Sequence, residues 1–198
     1  MNEGKKRKLI EAAIELASQE GLHGLSMKQV IRKAQTSETL IYQHFENKEG
    51  LYYACFKVIN DEFRTFFDRY KIEEQTDRKE LYQNVRTMWM DFVTFLLENR
   101  NRTLFYFAYR NSSYITPFRD EEIEGAKPYF DRFENFFSKI NQERGVNLHV
   151  NRICLWSYLL DTTCSFARRI IQGELEDTPE IREDIWRLLA FGLFGIDE

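Results

Sequence analysis

The chain has 198 residues, enough for one ordinary domain or two small ones, and 43% hydrophobic with 30% charged residues excludes a disordered chain. Only 9 Gly and 3 Pro disfavour a turn-rich β fold, and 17 Phe, 10 Tyr and 3 Trp exceed the needs of a small helical core, which raises the odds of a lined cavity. The net charge of −4 counts weakly against nucleic acid for the chain as a whole, but residues 1–50 hold eight Lys/Arg against seven Asp/Glu, a mildly basic head on an acidic body.

In chain order, Leu9, Ala12, Ala13, Leu16 and Ala17 recur at helical spacing, with Gly21 as the stop. Ser26 is an N-cap for a second helix carrying Met27, Val30 and Ile31 inward. Ala34-Gln35-Thr36 forms a turn, and a third helix from Ser37 carries Leu40 and Ile41 inward. Two short helices around a tight turn are the pattern of a helix-turn-helix whose second helix lies in a DNA groove. Asn47 then caps a long helix with Leu51, Ala54, Cys55, Val58, Ile59, Glu62 and Phe63 along one face.

A break at Gln75-Thr76-Asp77 precedes a fifth helix with Leu81, Val85, Met88, Phe92, Phe95 and Leu96, ending at Asn99-Arg100-Asn101. A short aromatic helix over Leu104–Arg110 is stopped by Asn111-Ser112-Ser113 and Pro117. Three more helices are predicted, over Tyr129–Ile140, over Val150–Ile171, and after Pro179, a residue that suits a helix start. The fold class is all-α with about nine helices: a three-helix head over 1–50 and a helical body over 51–198, joined by a helix over 48–70.

The head resembles the TetR (tetracycline-repressor) family of bacterial transcriptional regulators. The residues that carry the resemblance are Ile10-x-x-Ala13, Gly21, Ser26-Met27-x-x-Val30, Ser37, Ile41-Tyr42-x-His44-Phe45 and Asn47-Lys48-Glu49-x-Leu51. They cover essentially all of residues 8–55. The resemblance implies contacts to double-stranded DNA. Lys48 beside a helix N-terminus, Tyr42, His44, Ser26 and Lys28 are expected on phosphates. Ser37, Thr39 and Gln43 project from the recognition helix toward base edges, and Glu38 stands either near phosphates or at the N4 of a cytosine. Lys5 to Lys8 read either as an arm for phosphates or the minor groove or as a solvated helix start. Three positions depart from the family pattern. Gln35 stands where Gly is usual, Ile31 replaces a small Ala, and Glu38 puts a carboxylate at the front of the recognition helix.

For the body, the resemblance implies a homodimer whose last two helices pair with their mates, here through Ile153, Leu160, Ile185, Leu188, Leu189 and Gly192. Two heads about 34–36 Å apart, or a multiple, would read a palindromic operator. It also implies a cavity for a small hydrophobic or aromatic effector, with Trp89, Phe92, Phe105, Tyr109, Phe133, Phe137 and Trp156 as lining and Asp161 as a polar anchor. An aromatic stripe at helical spacing is more often plain core than a pocket. A DNA-bound interaction or architectural protein without a small-molecule ligand is the alternative.

Catalysis finds no support. His23, His44 and His149 lack ligand-like spacing, and neither a Gly-rich phosphate loop nor a Cys/His nucleophile pair is present. No metal or cofactor is expected. Cys154 and Cys164, about 15 Å apart on one helix, are too far apart for a disulfide, and with Cys55 they read as reduced thiols. Neither a signal peptide nor a run of roughly 20 apolar residues is evident, so a cytoplasmic protein without membrane contact is expected.

Overall fold

The computed structural model describes residues 2–70, 78–120 and 152–194, together with the isolated positions 124, 127, 131 and 138. The described residues are all-α. The elements are α1 (Asn2–Gly24), α2 (Met27–Ala34), α3 (Glu38–His44), α4 (Lys48–Phe67), α5 (Arg78–Glu98), α6 (Arg100–Arg110), a 3₁₀ helix (Ser113–Phe118), α7 (Arg152–Ile171) and α8 (Pro179–Phe194). Among them no helix is long and apolar enough to cross a membrane. The expected break at Gln75-Thr76-Asp77 lies outside the described residues, as does nearly all of the expected Tyr129–Ile140 helix.

Local chemistry explains most boundaries. Gly21 takes φ 76, ψ 163, a conformation open to glycine and costly for other residues, so α1 kinks there rather than running straight to Gly24. Asn47 caps α4, its Oδ1 accepting the Gly50 N–H at 2.8 Å. Thr178 caps α8, its hydroxyl accepting the Ile181 N–H at 3.2 Å, with Pro179 as the first helical residue. Two boundaries differ from expectation. The aromatic helix begins at Arg100, not Leu104, because the Asn99 carbonyl accepts the Thr103 N–H at 3.0 Å and starts a turn that no apolar residue marks. Past its end the chain does not simply stop. Ser112 Oγ accepts the Tyr114 N–H at 3.3 Å and opens a 3₁₀ helix that contains Pro117.

The chain forms two compact units. The first comprises residues 1–65 and 99–120. Its core packs α1 (Leu9, Ala13, Ile14) and α4 (Tyr52, Cys55, Phe56, Ile59) with the aromatic face of α6. Phe56 lies 5.3 Å from the Tyr106 ring and 5.0 Å from the Tyr109 ring. Arg102 of α6 ties three helices together, reaching Glu62 of α4 at 2.8 Å and Glu11 of α1 at 2.7 Å. The Cys55 thiol donates to the Ile10 carbonyl at 3.7 Å, and burial pushes its pKa well above the ordinary thiol value.

The second unit comprises residues 66–98 and 121–198. Here α5, α7 and α8 enclose Val85, Met88, Trp89 and Phe92 with Leu160, Thr163, Trp186 and Leu189. The Trp186 indole donates to the Tyr82 hydroxyl at 2.9 Å, and Arg182 spans Asp177 at 2.6 Å and Thr94 at 2.9 Å.

Candidate nucleic-acid interface and body pocket

The helix-turn-helix is built by side chains that close their own backbone. Ser26 Oγ accepts the Gln29 N–H at 3.3 Å, while Gln29 Oε1 accepts the Ser26 N–H at 2.7 Å, a full capping box. The Ser26 hydroxyl also donates to Gln29 Oε1 at 2.7 Å, and Gln29 Nε2 donates onward to Glu20 at 2.7 Å. The hydroxyl expected on a phosphate is therefore engaged inside the head, while Lys28 beside it is exposed.

Gln35 adopts φ 52, ψ 50, the left-handed conformation inferred from the missing glycine. The Thr36 N–H reaches back to the Ile31 carbonyl at 3.1 Å, so the turn is closed by backbone bonds. Ser37 caps α3, its Oγ accepting the Leu40 N–H at 3.3 Å, which occupies one lone pair of a residue expected to reach bases.

Ile41 and Phe45 are buried and pin α3 to the head. The opposite face carries Glu38, Thr39, Tyr42 and Gln43, all exposed, with Tyr42 at 49%. His44 is half-buried beside the Phe45 ring at 6.0 Å. Lys48 follows the Asn47 cap, and its ammonium lies 5.5 Å from the Tyr52 ring and 5.9 Å from the Tyr114 ring. Tyr114 has no counterpart among the expected site residues, because nothing local to the 3₁₀ helix marks it as a neighbour of the head.

In the second unit Trp89 and Phe92 line an apolar cavity of about 40 Å³, joined by Met88, Leu160, Thr163 and Trp186. That volume holds about one water and is far below the roughly 300–1,000 Å³ of small-molecule sites. Phe105 and Tyr109, expected beside Trp89, lie in the core of the first unit, where each is fully buried. Asp161 is half-buried and is not part of this lining; among the described lining residues the hydroxyl is that of Thr163, which accepts from the Trp89 indole at 3.0 Å. Phe133 and Phe137 lie outside the described residues, as does the side chain of Trp156. A larger hollow of about 820 Å³ is an open groove at the start of α8, lined mostly by charged residues, where Arg86 and Arg182 are already paired with Glu183 and Asp177.

The residues expected on a dimer face divide. Leu160, Ile185 and Leu189 are buried within the single chain, whereas Leu188 is 66% exposed. Phe191, not among the expected set, is 56% exposed and lies on the same side of α8 as Leu188. A Cβ on Gly192 would stand 2.6 Å from the Tyr158 hydroxyl, so the close approach this glycine permits is to α7 of its own chain. The side chain of Ile153 lies outside the described ones.

With this geometry in hand, likeness to known proteins is specific. Residues 9–55 match the model of the tetR family of bacterial regulatory proteins. The HTH-type transcriptional regulator RutR of Escherichia coli K12 is 37% identical over 57 residues, 29% of this chain and 27% of RutR, so the chain spans about a quarter of the length of that relative. Among solved structures, a TetR family transcription regulator from Marinobacter aquaeolei VT8 superposes with a TM-score of 0.68 at 21% identity, covering 94% of each chain. The transcriptional regulator FadR of Bacillus subtilis, in complex with stearoyl-CoA, superposes with a TM-score of 0.69 at 16% identity, covering 96% of this chain and 99% of FadR. At such identities the structural likeness is one of fold, and the family likeness rests on the head: residues 9–55 match the tetR family of bacterial regulatory proteins.

Proposed function

We propose that this chain is a DNA-binding transcription regulator that acts as a homodimeric repressor, holding a palindromic operator until a small apolar effector enters its body. The observation that carries the reading is α3, pinned by Ile41 and Phe45 while Glu38, Thr39, Tyr42 and Gln43 face outward on a head of this family. Base edges would be read from Thr39 and Gln43, and Lys28, Tyr42, His44 and Lys48 would hold phosphates. Leu188 and Phe191, exposed and apolar, favour pairing with a second copy along α8.

The effector would be apolar and uncharged where it meets Trp89 and Phe92. Among the described lining residues Thr163 carries the one hydroxyl, and none is a carboxylate. FadR binds a long acyl thioester in a chain of the same fold, which suits this class of effector. Entry requires the cavity to open, so the effector would select a minor state of the body and shift the population away from DNA binding.

Selection of duplexes from a random pool at fixed salt tests the reading. Enrichment of a palindrome, and its release by an apolar compound that raises the thermal stability of the protein, are expected. Absence of enrichment would overturn it. A second reading, a DNA-bound interaction protein without effector, is favoured by the 40 Å³ size of the cavity. It predicts palindrome binding that no body-binding compound alters.

A further inference from the structure

We propose that Tyr114 is a positioning residue for the DNA contact, holding the Lys48 ammonium in place from the 3₁₀ helix that follows α6. The inference rests on the reading of the head as DNA-binding and adds to it a residue outside residues 9–55.

Lys48 opens α4, where unpaired N–H groups already favour a phosphate. A lysine stem is long and flexible, and the place of its charge must be set by something else. Here two rings set it. The Tyr52 and Tyr114 rings meet edge to face, with centroids 5.2 Å apart and planes at 82°. The ammonium lies within 6 Å of both, at 5.5 and 5.9 Å, inside the range where a ring quadrupole attracts a cation. Lys48 is only half-buried, so its other donors remain open to a phosphate.

Both rings are themselves anchored. The Tyr52 hydroxyl donates to the Leu22 carbonyl in the core. Tyr114 is held through its backbone: Ser112 Oγ accepts its N–H at 3.3 Å, and its carbonyl accepts the Tyr109 hydroxyl at 3.3 Å. Its own hydroxyl lies 3.4 Å from His23 Nδ1, with the two rings 5.5 Å apart. The lysine is thus braced by a segment that α6 delivers, all within the first unit.

Two measurements test this, one without DNA. In the free protein the Lys48 ε-methylene protons should show an upfield ring-current shift in NMR spectra, kept in Tyr114→Phe and reduced in Tyr114→Ala. Spectra that place these protons at ordinary lysine positions would overturn the proposal whatever the DNA result. On the duplex enriched from the random pool, Lys48→Ala should lower the slope of log K against log salt by about 0.9. Tyr114→Ala should weaken binding about threefold to tenfold, and Tyr114→Phe should stay within about twofold of the parent. In the Lys48→Ala background, Tyr114→Ala should have no further effect. An equal loss in both backgrounds, or a Phe variant as weak as the Ala variant, would overturn the assignment. Failure of every variant and the parent to bind any duplex would instead overturn the DNA-binding reading and leave the NMR arm standing.

Discussion

The indole N–H of Trp89 on α5 donates to the hydroxyl of Thr163 on α7 at 3.0 Å, and that hydroxyl donates to the Leu159 carbonyl at 2.6 Å. Thr163 is 1% exposed and Trp89 is 5% exposed, so bulk solvent offers neither partner an alternative. A hydroxyl accepts and donates at once, and a valine of the same shape can do neither. Thr163→Val should therefore strand the indole N–H and destabilise the protein by about 1–3 kcal/mol. The check is a lower denaturant midpoint at unchanged slope, with Thr163→Ser nearer the parent.

Gln35 supplies a second expectation. Its left-handed backbone carries a steric cost of about 1–2 kcal/mol for a residue with a Cβ. Glycine removes that cost but adds roughly 0.4–1 kcal/mol of unfolded-chain entropy. Gln35→Gly should raise stability by about 0.5–1 kcal/mol on balance. A melting temperature equal to or below the parent would show that the turn is not strained.

Gly192 and Tyr158 form the tightest approach of α8 to α7 that a glycine permits here. An added Cβ would meet Tyr158 Oη at 2.6 Å and Cζ at 3.0 Å, displacing a hydroxyl that donates to the Leu188 carbonyl at 3.1 Å. Gly192→Ala should cost about 1–2 kcal/mol. The same substitution in a Tyr158→Ala background should cost less, and a double-mutant cycle measures the coupling.

Acid sensitivity follows from Asp177. The Arg182 guanidinium donates to both of its carboxylate oxygens, at 2.6 and 2.9 Å, and this pairing holds the carboxyl below the ordinary aspartate range. A pKa depressed in the folded state contributes stability above the unfolded value of about 3.9 and loses it as pH falls through the folded value. The gap in melting temperature between the parent and Asp177→Asn should be constant from pH 7 to about pH 5 and narrow below about pH 4. The partial exposure of both side chains keeps the effect small. A gap that widens on acidification would contradict the pairing.

The head was legible residue by residue because its signals are local. Ser26 meets Gln29 three residues on, Asn47 meets Gly50 three residues on, and the backbone of Gln35 follows from its place in a three-residue turn. The 3₁₀ helix was not legible. Ser112, Ser113 and Pro117 are ordinary stop signals, and the same residues cap and begin a tighter helix when the chain has somewhere to pack.

Helical period predicted that α8 is amphipathic, yet Leu188 and Leu189 are both leucines and both fit an apolar stripe. One is 66% exposed and the other 1%, because the position of α7 chooses which flank of the stripe is covered. Phe105 and Tyr109 joined Phe56 in the first unit for the same reason, while Trp89 and Phe92 lined a cavity in the second. Caps, turns and helical faces arise from bonds spanning a few residues, so residue type and spacing suffice to place them. Whether two apolar faces meet, and whether Tyr114 reaches Lys48, depends on packing between segments far apart in the chain, which no local spacing encodes.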